Sequence, residues 1–142
     1  NMVAPQPRRI AATGVASRVA QERSEDIGGT IGYSIRLETK RSRKTRVLFC
    51  TTGVLLRRLA DDQELSGVSV VCVDEVHERS LDSDFLLVLL KDVMARNASL
   101  KVVLMSATMD ASKFAAYFAA ESGGKPCPVL EIPGFTFPVK EL

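Results

Sequence analysis

With 142 residues, the chain has enough length to close one hydrophobic core and little room for a second. Hydrophobic residues at 46% and charged residues at 25% give an ordinary globular balance, and a net charge of +2 is too small to demand a polyanionic partner. No apolar run reaches the ~18 residues needed to span a bilayer and no secretory-signal pattern opens the chain, so no membrane is expected among its partners.

In chain order, Met2, Val3 and Ala4 suit the remnant of a strand, and residues 8–24 predict a helix with Ile10, Val15 and Val19 turned inward. Gly28 and Gly29 lead into a strand over residues 30–37. The basic run Lys40, Arg41, Arg43, Lys44 and Arg46 then reads as a charged hairpin tip or a solvated face. Residues 46–50, 68–73 and 100–105 share one pattern. Each is short, apolar and rich in β-branched side chains, as strands covered on both faces of a parallel sheet are. A helical stretch follows each of them. Residues 52–61 offer Val54, Leu55, Leu56 and Leu59 to a core. Residues 82–96 open on Asp82 and Asp84, close on Arg96 and present Phe85, Leu86, Leu89, Leu90, Val93 and Met94. Residues 110–118 place Phe114, Tyr117 and Phe118 at helical spacing. Gly123 and Gly124 break that helix, and residues 129–132 predict a last short strand before Pro133 and Pro138. Strand alternating with helix throughout predicts an α/β fold of doubly wound type.

Cys50, Cys72 and Cys127 are dispersed, odd in number and without a CxxC pair. Cys50 and Cys72 sit inside apolar runs, where a reduced thiol behaves as a small hydrophobe. A reducing, intracellular compartment is therefore expected and a zinc site is not.

Ligands of open parallel sheets bind beyond the carboxyl ends of the strands. The residues that follow the three core runs are Thr51-Thr52-Gly53, Asp74-Glu75-Val76-His77 and Ser106-Ala107-Thr108, which would line one edge of the sheet. An apolar strand ending in Asp74 is the Walker B arrangement, whose carboxylate holds Mg²⁺ on a bound nucleotide. Glu75 beside it can take a proton from the water that attacks the terminal phosphate. His77 is the sole histidine and belongs to no HExxH pattern, so a hydrogen-bonding relay suits it better than metal ligation. The Ser106 and Thr108 hydroxyls can bond to that acidic loop, or simply cap the helix that follows. Arg8 and Arg9 at the start of a helix suit phosphate oxygens, and Thr51, Thr52 and Gly53 open a helix in the same way. Each of these two clusters, taken singly, serves equally well as turn and cap chemistry.

The order of these motifs resembles that of the DEAH/RHA helicases, a DExH-box group of superfamily 2. Gln6-Pro7-Arg8-Arg9 is similar to motif Ia, Gly32-Tyr33-Ser34-Ile35-Arg36-Leu37-Glu38 to the family's GYxIRxE strand, and Thr51-Thr52-Gly53-Val54-Leu55-Leu56-Arg57 to motif Ib. Asp74-Glu75-Val76-His77-Glu78-Arg79-Ser80 resembles motif II, and Ser106-Ala107-Thr108 resembles motif III. Val76 and the stretch from Ile132 to Pro138 bring the resemblance nearest to the family's animal-type branch.

The resemblance implies a three-layer RecA-like domain with a mostly parallel sheet flanked by helices. It implies an ATP-dependent RNA helicase that moves 3′ to 5′ on single-stranded RNA and unwinds RNA duplexes, with Mg²⁺ and ATP bound together. On that basis Asp74 holds Mg²⁺ and, with Glu75, the nucleotide, while Glu75 polarises the attacking water. His77 belongs to the catalytic group and, with Ser106 and Thr108, couples nucleotide state to movement. Arg8, Arg9, Thr51, Thr52 and Gly53 hold the RNA backbone. The chain departs from the family at Ala4-Pro5, where a Thr usually precedes Gln-Pro-Arg-Arg. It also contains no GxxxxGK[ST] loop, since Pro126 follows Lys125 in the only Gly-Gly-Lys stretch. Residues 1–142 accordingly read as part of a first RecA-like domain, motifs Ia to III. The second RecA-like domain and the C-terminal helicase domains would lie outside them, and the isolated piece would be inactive. The alternative is a non-catalytic RNA-binding or scaffold module that retains the helicase surface. A metal-dependent phosphohydrolase using Asp74, Glu75 and His77 shows too few ligands for two metals.

Overall fold

The computed structural model describes residues 1–107, 111–119, 123–124 and 127–134. Its elements are, in order, β1 (Met2–Gln6), α1 (Arg9–Glu22), β2 (Ile31–Ile35), β3 (Glu38–Lys40), β4 (Val47–Thr51) and α2 (Thr52–Asp61). They continue with β5 (Val70–Val73), a 3₁₀ turn (Val76–Glu78), α3 (Leu81–Arg96), β6 (Lys101–Leu104) and α4 (Ala111–Tyr117). The chain divides into two compact units, Asn1–Met109 and Asp110–Leu142.

In the first unit all six strands join one sheet of order β3-β2-β4-β1-β5-β6. The pairs β2/β4, β4/β1, β1/β5 and β5/β6 are parallel, and β3 runs antiparallel to β2 at the edge. Helix α1 carries the chain from β1 towards the β3 edge, whereas α2 and α3 carry it towards the β6 edge. Right-handed crossovers in opposite directions put these helices on opposite faces of the sheet. The result is the three-layer α/β domain implied by the family resemblance.

The α1 layer packs by small side chains. Ala12, Ala16 and Ala20 recur every four residues and are buried against Ala4, Ile31, Tyr33, Ile35, Phe49 and Cys72. The expectation that Ile10 and Val15 face inward is overturned, because Ile10 is 86% exposed and Val15 is also exposed. The alanine stripe lets the helix approach the sheet closely, and only Val19 of the three expected residues packs against this core. On α3, Leu86, Leu90 and Val93 are buried as expected and Leu87 joins them. Phe85 is instead exposed and, with Leu56, Leu59, Leu89 and Val93, lines an apolar groove of about 380 Å³.

Strand β3 is absent from the sequence pattern. Its three residues Glu38, Thr39 and Lys40 are all exposed, so it carries no apolar periodicity. It is held by its backbone ladder and by side-chain bonds from Tyr33 to Glu38 and between Ser34 and Thr39. The hairpin turn therefore falls at Arg36 and Leu37, not in the basic run. Leu37 has a φ of 68° and is almost wholly exposed. The run from Arg41 to Arg46 connects β3 to the amino end of β4, and Thr45 ties it down by donating to the Gly29 carbonyl at 2.9 Å.

In the second unit, Tyr117 and Phe118 meet edge to face at 5.0 Å. The strand expected over residues 129–132 does not form. Pro128 and Pro133 bracket those residues and remove ladder donors at both ends. Asp110 and Pro138 lie outside the described residues. Among those described, no helix is long and apolar enough to cross a membrane. Burial pushes the Cys50 thiol up to about 12 and raises that of Cys72, so both behave as apolar filling.

Gly32 lies against the end of β3. A Cβ there would lie 2.7 Å from the Lys40 carbonyl oxygen, a backbone atom that cannot swing away. Gly32→Ala should therefore destabilise the domain by about 1–3 kcal/mol, read from the denaturant midpoint.

Candidate functional site

Strands β1 and β5 are neighbours, yet the chain leaves them towards opposite edges of the sheet. Diverging connections open a crevice at the carboxyl ends of such strands, where α/β sheets hold ligands. Gln6 ends β1 and Asp74 follows β5, and the two meet across this crevice. The Gln6 amide Nε2 donates to Asp74 Oδ2 at 3.2 Å. The other carboxylate oxygen, Oδ1, accepts the Glu75 backbone N–H at 2.9 Å.

After Asp74 the backbone makes two left-handed residues, Glu75 (φ 54°, ψ 35°) and Arg79 (φ 49°, ψ 38°). For a residue with a Cβ that conformation costs on the order of 1 kcal/mol, and it persists only where the surroundings enforce it. Here they do. Val76 is fully buried and its N–H donates to the Met105 carbonyl at 3.2 Å, while the Met105 N–H donates to Val73 at 2.8 Å. Arg79 grips both Asp84 oxygens through Nε at 2.9 and 3.1 Å and adds Nη2 at 3.0 Å, which raises the guanidinium pKa. Ser80 caps α3 by accepting the Ser83 N–H at 3.2 Å.

Between these anchors, His77 bridges two predicted residues. Its Nε2 lies 3.2 Å from Glu75 Oε2, and its Nδ1 lies 3.1 Å from Ser106 Oγ. A carboxylate only accepts, so in this pair a proton on Nε2 is the one that faces Glu75. In the neutral ring, Nδ1 then accepts the Ser106 hydroxyl. Ser106 stands just beyond β6, so the chain Glu75–His77–Ser106 spans the ends of two adjacent strands. Thr108 lies outside the described residues.

The basic side of the rim comes from β1 and β4. Arg8 and Arg9 are exposed at the start of α1, and Arg8 Nη2 pairs with Glu78 Oε1 at 3.3 Å. Thr51, at the end of β4, is half-buried, and Gly53 is exposed at the start of α2. Thr52 differs from expectation, because its side chain is buried and its hydroxyl donates to the Gln6 carbonyl at 3.4 Å. The Thr52 side chain is thus committed to the packing of β1 against β4. The basic run 40–46 belongs to the opposite, amino-terminal end of the parallel strands and is not part of this rim.

Sequence reasoning assigned no role to Gln6, Glu78 or Arg79. A signal for Gln6 was present in the sequence, namely a lone amide closing an otherwise apolar strand. The partners of Glu78 and Arg79 are fixed only by the turn. Because His77 is the sole histidine, its ring is a clean probe of this network. Ser106→Ala should shift the Nδ1 resonance and Glu75→Gln the Nε2 resonance in ¹⁵N NMR spectra, while Arg18→Ala, on the exposed side of α1, should move neither.

Comparison with known proteins agrees with this arrangement. The family model described as DEAD/DEAH box helicase matches residues 9–116, well over half of the chain. The chain is 54% identical over 142 residues to DExH-box ATP-dependent RNA helicase DExH1 of Arabidopsis thaliana. It is 55% identical over 142 residues to the putative ATP-dependent RNA helicase DHX57 of Homo sapiens, and 52% identical over 142 residues to ATP-dependent RNA helicase DHX30 of Gallus gallus. These matches cover 100%, 100% and 99% of this chain but only 14%, 10% and 11% of the relatives. Plant and animal relatives match at the same level, so identity does not single out an animal branch. This chain belongs to the DEAD/DEAH box helicase family.

Proposed function

We propose that residues 1–142 are part of the first RecA-like domain of a longer, intracellular ATP-dependent RNA helicase, which couples ATP hydrolysis to movement along RNA and to unwinding. The observation that carries this reading is the clustering of Asp74, Glu75, His77 and Ser106 at the carboxyl ends of β5 and β6, beside the exposed Arg8 and Arg9. The remainder of the longer protein supplies the phosphate loop, the second RecA-like domain and the C-terminal helicase domains.

Asp74 would hold Mg²⁺, directly or through water. Its single carboxylate fits that ion, which keeps several waters and takes one or two protein carboxylates plus phosphate oxygens. When bound, the ion neutralises charge on the triphosphate. Glu75 accepts the proton of the attacking water. His77 holds the Glu75 carboxylate through Nε2, and protonating that carboxylate weakens the interaction. The imidazole passes the change to Ser106 through Nδ1, and Thr108 would share in the same coupling. Nucleotide state thereby reaches a second strand end.

Arg8, Arg9, Thr51 and Gly53 take the RNA backbone, and Thr52 fixes the β1–β4 edge that presents them. Phosphate contacts position a strand without reading its bases, so sequence preference is weak.

In the full-length protein, Glu75→Gln should leave ATP binding intact and cut RNA-stimulated turnover by roughly 10²–10⁴-fold. Turnover at the normal rate would remove Glu75 as the base. RNA binding with no ATP turnover in the unaltered protein would favour the non-catalytic module instead. Arg8→Ala combined with Arg9→Ala should weaken binding to all RNA sequences about equally. It should also flatten the slope of log affinity against log salt by about 0.7 for each phosphate no longer neutralised. An unchanged slope would take these arginines off the RNA path.

A further inference from the structure

Gln6 is only 3% exposed and is the one polar side chain among the buried residues of β1. A buried amide needs hydrogen-bond partners, and this one points its donor at a carboxylate that stands at the proposed nucleotide crevice. The backbone of Gln6 is fixed as well. It pairs in register with Thr51 of β4, and its carbonyl accepts the Thr52 hydroxyl. The amide is thus mounted on the rigid end of a central strand rather than on a loop.

Asp74 receives a donor on each oxygen: Gln6 Nε2 on Oδ2 and the Glu75 N–H on Oδ1. Two donors on two oxygens fix the plane of a carboxylate. A lone pair remains on each oxygen for other partners. Without the Gln6 bond, Asp74 can rotate about its side-chain bonds, and β1 no longer orients it.

We infer that Gln6 is a positioning residue for the nucleotide site, its amide holding the Asp74 carboxylate in the orientation that a nucleotide-bound Mg²⁺ requires. The inference rests on the helicase reading given above. Gln6 touches neither nucleotide nor RNA in this role and acts only through Asp74. Its effect is therefore on the response to Mg²⁺, and phosphate gripping by Arg8 and Arg9 is separate from it.

The test is equilibrium binding of a fluorescent ATP analogue to the full-length protein, titrated with Mg²⁺, with melting temperature and RNA affinity measured alongside. Gln6→Met keeps length and volume but lacks the donor. Gln6→Asn keeps a buried amide but withdraws it by about 1.5 Å, beyond hydrogen-bond reach of Asp74. Both should raise the Mg²⁺ concentration for half-maximal binding by about tenfold, the loss of one hydrogen bond to a charged group. RNA affinity and nucleotide binding without Mg²⁺ should match the unaltered protein. Adding Gln6→Met to Asp74→Asn should change nothing further, as expected of two residues acting as a unit. Folded Gln6 variants with the unaltered Mg²⁺ response would overturn the inference. So would additive effects in the double variant. If Gln6→Met melts early, Gln6→Asn decides. Failure of Asp74→Asn to alter the Mg²⁺ response would instead count against the helicase reading itself.

Discussion

The hand of the crossover connections is the constraint on which the molecule depends. A right-twisted strand feeding a helix packs back onto its sheet in one sense only, so the direction of each connection decides which face its helix covers. The chain turns towards the β3 edge after β1 and towards the β6 edge after β4 and β5. That reversal covers both faces and buries the central parallel strands, while β6 at the edge stays partly exposed, against the expectation of a strand covered on both faces. It leaves one crevice uncovered at the carboxyl ends. Gln6, Asp74 and Ser106 all stand at that edge because each ends a strand of the same parallel set or lies within two residues of its end.

The acidic loop shows how a site of this kind holds its shape. Two side chains with left-handed backbone would relax in an unconstrained turn. The buried Val76, the Met105 ladder on either side and the Arg79 fork on Asp84 remove that freedom. The polar side chains between these anchors are then presented from a fixed backbone, and Glu75, His77 and Ser106 can form a linear series of contacts. Anchoring and presentation are separate tasks here: Val76, Met105 and Arg79 hold the backbone, and Glu75, His77 and Ser106 are presented from it.

Charge on the rim is mixed, and the mixture differs in strength from place to place. The Arg79–Asp84 fork is bidentate and structural. The Arg8–Glu78 pair is a single contact on an arginine that is 76% exposed, and pairs of that kind add little stability. Arg8 is therefore held near the acidic loop without being committed to it. On the proposed reading, a phosphate oxygen would compete for the same guanidinium.

The amino-acid sequence by itself determined the alternation of strand and helix, the parallel sheet and the loops that carry Asp74, Glu75, His77 and Ser106. Those features follow from local periodicity and from the rule that polar clusters after buried strands share an edge. Tertiary structure alone decided three further matters. The inward face of α1 belongs to Ala12, Ala16 and Ala20, because the spacing between helix and sheet, and not residue hydrophobicity, selects what fits there. Strand β3 exists because the edge of β2 offers unpaired backbone groups to three exposed residues, whereas residues 129–132, bracketed by prolines, pair with nothing among the described residues. Thr52 turns inward and Gln6 reaches Asp74 because neighbouring strand ends come within hydrogen-bond distance only after the sheet has assembled. Such contacts join residues 46 and 68 positions apart, a separation across which no local pattern in the chain carries information.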